Sequence, residues 1–126
     1  MVKHERKKIL AVLEDLLFTV KINDVAKRTG LDVEFVKSDH DAIEKAKHQP
    51  LLIILDLNSH AVNALQLIEL LKANEETRGI SLIGYVSHVQ GALKQKAHEA
   101  GCDMVLARSA FSQNLPVILK RHAGRV

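Results

Sequence analysis

The most uniform apolar run of the chain covers residues 51–55 and ends at Asp56. A strand that is apolar at every position has neither face in water, which is typical of a parallel sheet covered by helices on both sides. Asp56 therefore falls at the carboxyl end of a buried strand, the edge of an open α/β sheet where ligands bind. The same pattern also fits a purely structural role, because Asp56 could simply cap the turn or helix that follows.

Similar patterns along the rest of the chain predict four more strands and five helices. Short apolar or alternating runs indicate strands, and apolar residues that recur at helical spacing, such as Leu17, Val20 and Val25 with the flanking Phe18 and Ile22, indicate helices. Pro116 is expected near the first turn of the last helix, where proline is tolerated. The predicted strands are residues 9–13, 32–37, 51–55, 80–86 and 104–107, and the predicted helices are 16–28, 39–47, 63–73, a stripe from Val89 to Ala100, and 111–122.

The alternation of strands and helices predicts one α/β domain of the (βα)5 type. Such a domain is a three-layer sandwich with a parallel sheet between two layers of helices. Right-handed crossovers leave few topologies, and the flavodoxin-like order 2-1-3-4-5 is the natural one for five strands. We expect a single domain over residues 1–126, with its core at about 7–122 and no output domain after it.

Composition excludes several classes of function. The net charge of +3 is small and partly terminal, and aromatic residues make up only 3%, so no nucleic-acid face is predicted. Cys102 is the only cysteine, which excludes an intramolecular disulfide and indicates a small packing residue. Neither a signal peptide nor a membrane-length apolar run is present, so the expected location is the cytoplasm.

The predicted strand order brings polar residues together at one edge of the sheet. Glu14 and Asp15 follow the first strand, Asp56 ends the third, and Ser87 and Arg108 follow the fourth and fifth. Glu14 or Asp15 with Asp56 offers the oxygen ligands that Mg²⁺ prefers. Asp56 could then act as a nucleophile toward a phosphoryl group. Arg108 and the Ser87 hydroxyl would pair with the phosphoryl oxygens.

These residues resemble the receiver domain of two-component response regulators. The resemblance covers nearly the whole chain and rests on residues 8–15, 50–58 and 101–108. It implies the CheY-like form of the fold, with Asp56 accepting phosphate from a histidine kinase or phosphotransfer protein. It also implies that the backbone carbonyl of Asn58 completes the Mg²⁺ site. The role implied is signalling, with no enzyme activity beyond self-phosphorylation and dephosphorylation at Asp56.

The chain departs from the receiver pattern at several of these positions. The family's paired acids fall on Leu13 and Glu14, and its switch hydroxyl falls on Val86. Leu13 cannot coordinate a metal, and Val86 cannot hydrogen-bond a phosphoryl oxygen. The family's lysine falls on Arg108, whose planar fork does not freely replace a compact ammonium. Tyr85 is placed about where the switch aromatic is expected, although strand packing explains it equally well. Together these departures favour an atypical receiver or pseudo-receiver.

Three functions of different classes remain open. The first is a phosphoacceptor domain that uses Asp56. The second is a phosphorylation-independent pseudo-receiver, which would act only through contacts of the face formed by the last two strands and last two helices. The third, a flavodoxin-like enzyme or small-molecule binder, is disfavoured because no glycine-rich phosphate loop occurs. In the first two cases the output partner is a separate protein or a second copy of the chain, with no DNA-binding domain and no membrane involved.

Overall fold

Strands and helices alternate through the computed structural model, which describes residues 7–87 and 91–124. Val89, which the sequence pattern assigns to the fourth helix, lies outside the described residues. The strands are β1 (Lys7–Val12), β2 (Leu31–Val36), β3 (Leu52–Asp56), β4 (Ser81–Val86) and β5 (Met104–Ala107), and the helices are α1 (Leu16–Thr29), α2 (Asp39–Ala46), α3 (Ala64–Ala73), α4 (Gly91–Ala100) and α5 (Arg108–Ala123).

The five strands form one parallel sheet in the order β2-β1-β3-β4-β5. The central strand is β3, whose four residues before Asp56 are completely buried. Its uninterrupted apolar sequence follows from this position, because helices cover both of its faces. The predicted (βα)5 three-layer sandwich and its strand order are therefore confirmed.

Two hydrophobic clusters lie on opposite faces of the sheet and define where each side chain points. One cluster contains α1 and α5, and the other contains α2, α3 and α4. Along β3, Ile54 packs in the first cluster, while Ile53 and Leu55 pack in the second. Because successive side chains of a strand alternate between faces, Asp56 lies on the same side as α1 and α5.

Helix α1 is capped by Asp15, the residue just before it, whose side chain binds the amides of its first turn. One carboxylate oxygen accepts hydrogen bonds from the backbone N–H groups of Leu17 at 2.9 Å and Phe18 at 3.2 Å. Such caps satisfy amide groups that have no partner within the helix. The predicted helix is confirmed, but Leu17 and Val20 do not belong to its buried side, because they are 79% and 69% exposed. The buried side is formed by Phe18, Ile22, Val25 and Ala26.

Helix α5 begins at Arg108, directly after β5, and not at Phe111 as predicted. The residues between β5 and Phe111 include neither glycine nor proline, so nothing in them prevents the helix from starting early. The prediction that Pro116 lies near the first turn is consequently wrong, because Pro116 is in the helix interior. Its ring is exposed, and it has no amide hydrogen to donate to the preceding turn. Arg108 therefore belongs to the first turn of a helix.

None of the helices is suited to crossing a bilayer. Over residues 7–87 and 91–124, no helix combines the length and the apolar character that a membrane span requires.

Candidate functional site

The polar residues that the sequence places at one edge of the sheet do lie where the strands end. We call this region the Asp56 edge and define it by Glu14, Asp15, Asp56, Asn58, Ser87 and Arg108. Its side-chain contacts include those of Asp15 with Arg108, of Asn58 with Ser87, and of Asp56 with the backbone of Asn58.

Asp56 is the last residue of β3 and is half-buried. It pairs in register with Tyr85 of β4, so the two side chains are neighbours on the same face of the sheet. One carboxylate oxygen accepts the backbone N–H of Asn58 at 2.9 Å, which closes a tight turn after the strand. Asp56 does cap this turn, whereas the cap of α3 is Asn63.

Burial raises the pKa of the Asp56 carboxyl above its ordinary value. The N–H of Asn58 and the positive charge of Arg108 lower this pKa but do not cancel the effect of burial. The negative charges of Asp15 and Glu14 raise it further. All of these groups are thus close enough to Asp56 to influence its charge, although none of them forms an ion pair with it in the described residues.

Asp15 forms an ion pair with Arg108 that joins the start of α1 to the start of α5. The guanidinium donates to Oδ2 of Asp15, while Oδ1 accepts the backbone amides at the start of α1. Partial burial of Asp15 raises its pKa, but the hydrogen bonds from Phe18 and Arg108 and the charge of Arg108 outweigh burial and lower it. Both oxygens of this carboxylate are therefore occupied by groups of the chain itself.

An aromatic cluster holds the other side of Arg108. The guanidinium carbon lies 4.2 Å from the centre of the Phe18 ring, the geometry of a cation–π contact. The Phe18 ring packs on Tyr85 at 4.9 Å between centroids, and Tyr85 stacks on Phe111 at 5.1 Å. Sequence reasoning missed this cluster, because its members come from three distant segments and only the strand order brings them together.

Tyr85 is 1% exposed, and its hydroxyl has no hydrogen-bond partner among the described residues. Burial raises its pKa well above the ordinary value, so the hydroxyl stays protonated. Of the two interpretations of Tyr85, the structure supports packing of the strand, because the ring is enclosed between Phe18 and Phe111.

The loops after β3 and β4 are joined by Asn58 and Ser87. The amide oxygen of Asn58 accepts the backbone N–H of Ser87 at 2.7 Å and its hydroxyl at 3.0 Å. Ser87 itself is exposed, while the preceding residue Val86 is 2% exposed and packs in the cluster with α3 and α4. The sequence predicted roles for the Ser87 hydroxyl and the Asn58 carbonyl but not this contact between them.

The residues present do not fit a magnesium site in this arrangement. Leu13, at one of the positions where receivers carry an acid, is 2% exposed and packs in the core. Glu14 is exposed, and the carboxylate of Asp15 is occupied as described. Within the part of the chain that the structure describes, no group of three or more His, Cys, Asp or Glu side chains is placed to hold a metal ion.

Comparisons with known proteins agree with this fold. No family model matches the chain. The curated relatives include the polar-differentiation response regulator DivK of Brucella ovis, which is 24% identical over 119 residues, covering 93% of this chain and 97% of DivK.

Two solved structures show the same architecture. The chemotaxis response regulator CheY4 of Vibrio cholerae superposes with a TM-score of 0.80 at 18% identity, over 94% of this chain and 99% of that one. The receiver domain of the sensor histidine kinase PA1611 from Pseudomonas aeruginosa PAO1, which has a magnesium ion coordinated in its active-site cleft, also gives 0.80, at 21% identity over 95% and 99%. The resemblance to receiver domains noted from the sequence is thus confirmed.

Proposed function

Since the chain has the fold of response-regulator receiver domains, we propose that it is a receiver-type signalling module that contacts partner proteins without phosphate on Asp56. The contact between Asn58 and Ser87 carries this proposal. A phosphoryl group on Asp56 would require hydrogen-bond donors at the end of β4. The N–H and hydroxyl of Ser87 are such donors, and both already bind the amide oxygen of Asn58. A neutral side chain of the chain itself therefore holds the two loops together.

The surroundings of Asp56 support the same interpretation. Leu13 and Val86 are apolar and buried at the positions where receivers carry an acid and a hydroxyl. A phosphoryl group carries about two negative charges, whereas the carboxylate that it modifies carries one. Arg108, whose positive charge acts on Asp56, is itself paired with Asp15. A phosphorylated Asp56 would thus have fewer compensating groups than the fold normally provides.

The partner surface that we propose is the face formed by α4, β5 and α5, by likeness to receiver domains. Strand β5 lies at one end of the sheet, and among the described residues no strand pairs with its outer side. Met104 and Leu106 of β5 are only partly buried, and Val117 of α5 is 56% exposed. The partner is a separate output protein or a second copy of the chain. Neither alternative involves turnover of an external substrate.

Incubation with acetyl phosphate and Mg²⁺, followed by intact-mass measurement and amide NMR, tests the proposal. We expect no added phosphoryl mass and no shifts in α4, β5 or α5. Asp56→Asn is the matched control, because it removes the acceptor oxygen with little change in shape. A phosphoryl adduct that Asp56→Asn abolishes, together with shifts across that face, would refute phosphorylation-independent signalling.

A second candidate is the phosphoacceptor domain, and the position of Asp56 favours it. Asp56 ends the central strand, is half-buried, and is close enough to Arg108 for that charge to lower its pKa. A histidine kinase or phosphotransfer protein would be the donor, and Ser87 would have to leave Asn58 to reach the phosphoryl group. The same experiment separates the two candidates, because only this one yields the adduct.

A further inference from the structure

We infer that Arg108, and not a divalent cation, is the resident cation of the Asp56 edge, and that its pairing with Asp15 keeps Mg²⁺ out. The inference concerns the unphosphorylated edge and rests on the proposed function, because phosphorylation of Asp56 would use Mg²⁺ at this edge. It rests on the positions of Asp15, Arg108, Phe18 and Leu13.

Both oxygens of the Asp15 carboxylate already accept hydrogen bonds from groups of the chain itself. Oδ1 accepts two backbone amides, from Leu17 and Phe18, and Oδ2 accepts the guanidinium of Arg108. Magnesium requires nearly ideal octahedral geometry with oxygen ligands at about 2.0–2.1 Å. Binding through Asp15 would therefore require the ion pair to break or the start of α1 to lose its cap.

Arg108 is also held in place from two sides. The side chains of Arg108 and Asp15 are 36% and 23% exposed, so water screens their attraction less than that of a surface pair. Phe18 supports the guanidinium at 4.2 Å from its ring centre. A divalent cation entering beside this fixed positive charge would be repelled. Separating the pair would also break the hydrogen bond of Arg108 to Asp15 and the contact of its guanidinium with Phe18.

The second acid needed to outweigh this repulsion is replaced by Leu13. Leu13 lies one residue beyond Val12, which pairs in register with Leu55, so Leu13 is beside Asp56. It is 2% exposed and packs in the cluster with α1 and α5. Among the described residues, Asp15 is paired with Arg108, whereas Asp56 forms no ion pair. Asp56 is therefore the carboxylate that remains for a metal ion at the turn after β3.

Manganese is the probe, because it is paramagnetic and broadens the amide resonances of residues close to where it binds. Titration of the full chain should produce no saturable broadening at Leu57 and Asn58 beyond that seen in Asp56→Asn. Saturable broadening there in the wild type, lost in Asp56→Asn, would overturn the inference.

Two variants test whether Arg108 is the cause. Arg108→Gln frees Asp15 and should produce saturable broadening at Leu57 and Asn58. Leu13→Asp combined with Arg108→Gln adds the missing acid and removes the fixed positive charge, and should bind Mn²⁺ at least about tenfold more tightly than the wild type, the scale of effect typical of metal-site supporting residues. If the double variant does not fold, Arg108→Gln decides alone, because its partly exposed side chain is not part of the core.

Arg28→Gln is the matched control for Arg108→Gln. It also frees an aspartate on α1, since Arg28 pairs with Asp24, but both of those side chains are mostly exposed. This control should leave Leu57 and Asn58 unchanged. If Arg108→Gln binds Mn²⁺ no better than Arg28→Gln, the ion pair is not what excludes the metal and the inference is wrong. Metal binding and the phosphoryl adduct are separate measurements, so a failure of this inference is distinguishable from a failure of the proposed function.

Discussion

A side chain at Gly84 should strain the turn that follows Asp56. Gly84 lies in the middle of β4, between Leu55 of β3 and Val105 of β5. After Asp56 the chain folds so that Leu57 covers Gly84, and the N–H of Leu57 donates to the carbonyl of Tyr85 at 3.0 Å. A Cβ atom on Gly84 would lie 2.9 Å from Cγ and Cδ1 of Leu57 and 3.0 Å from Cδ2.

These distances set the size of the expected effect. Carbon atoms pack best at about 3.5–4.0 Å, so an added methyl group would overlap three atoms of one side chain. Leu57 is 7% exposed and part of the core with α3 and α4, so it cannot simply move into solvent. Overpacking of this kind costs about 1–3 kcal/mol. Replacing glycine reduces the entropy of the unfolded chain and returns about 0.4–1 kcal/mol. Gly84→Ala should therefore lower the free energy of unfolding by about 1–2 kcal/mol.

Urea denaturation followed by far-ultraviolet circular dichroism measures this difference. Gly79→Ala is the matched control, because a Cβ atom added there would have no neighbour within 4 Å and the φ of Gly79 is not positive. It should be as stable as the wild type or slightly more so. In a Leu57→Ala background, Gly84→Ala should lose most of its cost, since the overlapping atoms are gone. Equal stability of the two glycine variants, or an equal cost with and without Leu57, would refute the reasoning.

Three further predictions concern single side chains. Tyr85→Phe should raise the free energy of unfolding by about 1 kcal/mol, because it removes a buried hydroxyl that has no hydrogen-bond partner among the described residues. A loss of stability in urea denaturation would indicate that the hydroxyl does have a hydrogen-bond partner. Asp56→Asn should be more stable than the wild type at pH 7, because folding raises the pKa of Asp56 and its charged form therefore destabilises the folded state. This advantage should shrink in acid, where Asp56 is protonated in the folded state. Urea denaturation at pH 4 and pH 7 measures the difference in stability, and an equal difference at the two pH values would contradict this. Burial raises the pKa of the Cys102 thiol to about 11. A disulfide reagent at pH 8 should therefore label the native chain far more slowly than the urea-unfolded chain. Equal labelling rates would contradict the burial of Cys102.

The sequence predicted the architecture well because burial makes apolar residues recur at the spacing typical of strands or of helices. A fully apolar β3 can exist only between two layers of helices, and this places it at the centre of the sheet. Right-handed crossovers left few possible strand orders, and the flavodoxin-like order was the natural one among them for five strands. The positions of Asp15, Asp56, Ser87 and Arg108 near one edge followed in turn, because parallel strands all end there.

The errors occurred where the apolar pattern is ambiguous. The first turns of α1 contain Leu16, Leu17, Phe18 and Val20, and the pattern does not decide which of them faces the sheet. In the structure Phe18 is buried and the other three are exposed. The start of α5 was placed too late for a related reason, since a helix boundary without a capping side chain leaves no mark in the sequence. Ala107, the residue before α5, makes no side-chain cap.

The pairing of donors and acceptors was beyond the sequence for a different reason. Asp15 and Asp56 both lie near Arg108, and the choice between them depends on side-chain reach and on the stacking surface that Phe18 provides. Asn58 could contribute its backbone carbonyl or its side chain, and only the geometry of the two loops shows that its amide oxygen binds Ser87. Residue types at an edge therefore predict which groups meet, but not which pairs they form.

These pairs have a consequence for how the edge can transmit a signal. A ligand that binds there must break the contact of Ser87 with Asn58, or that of Arg108 with Asp15, before it gains the same donors for itself. Exchanging one hydrogen bond for another contributes little net free energy. A ligand shifts a conformational equilibrium only by its differential affinity for the two states. Contacts on the proposed partner face formed by α4, β5 and α5 would supply the difference, which agrees with the proposal that partners bind there and not at Asp56.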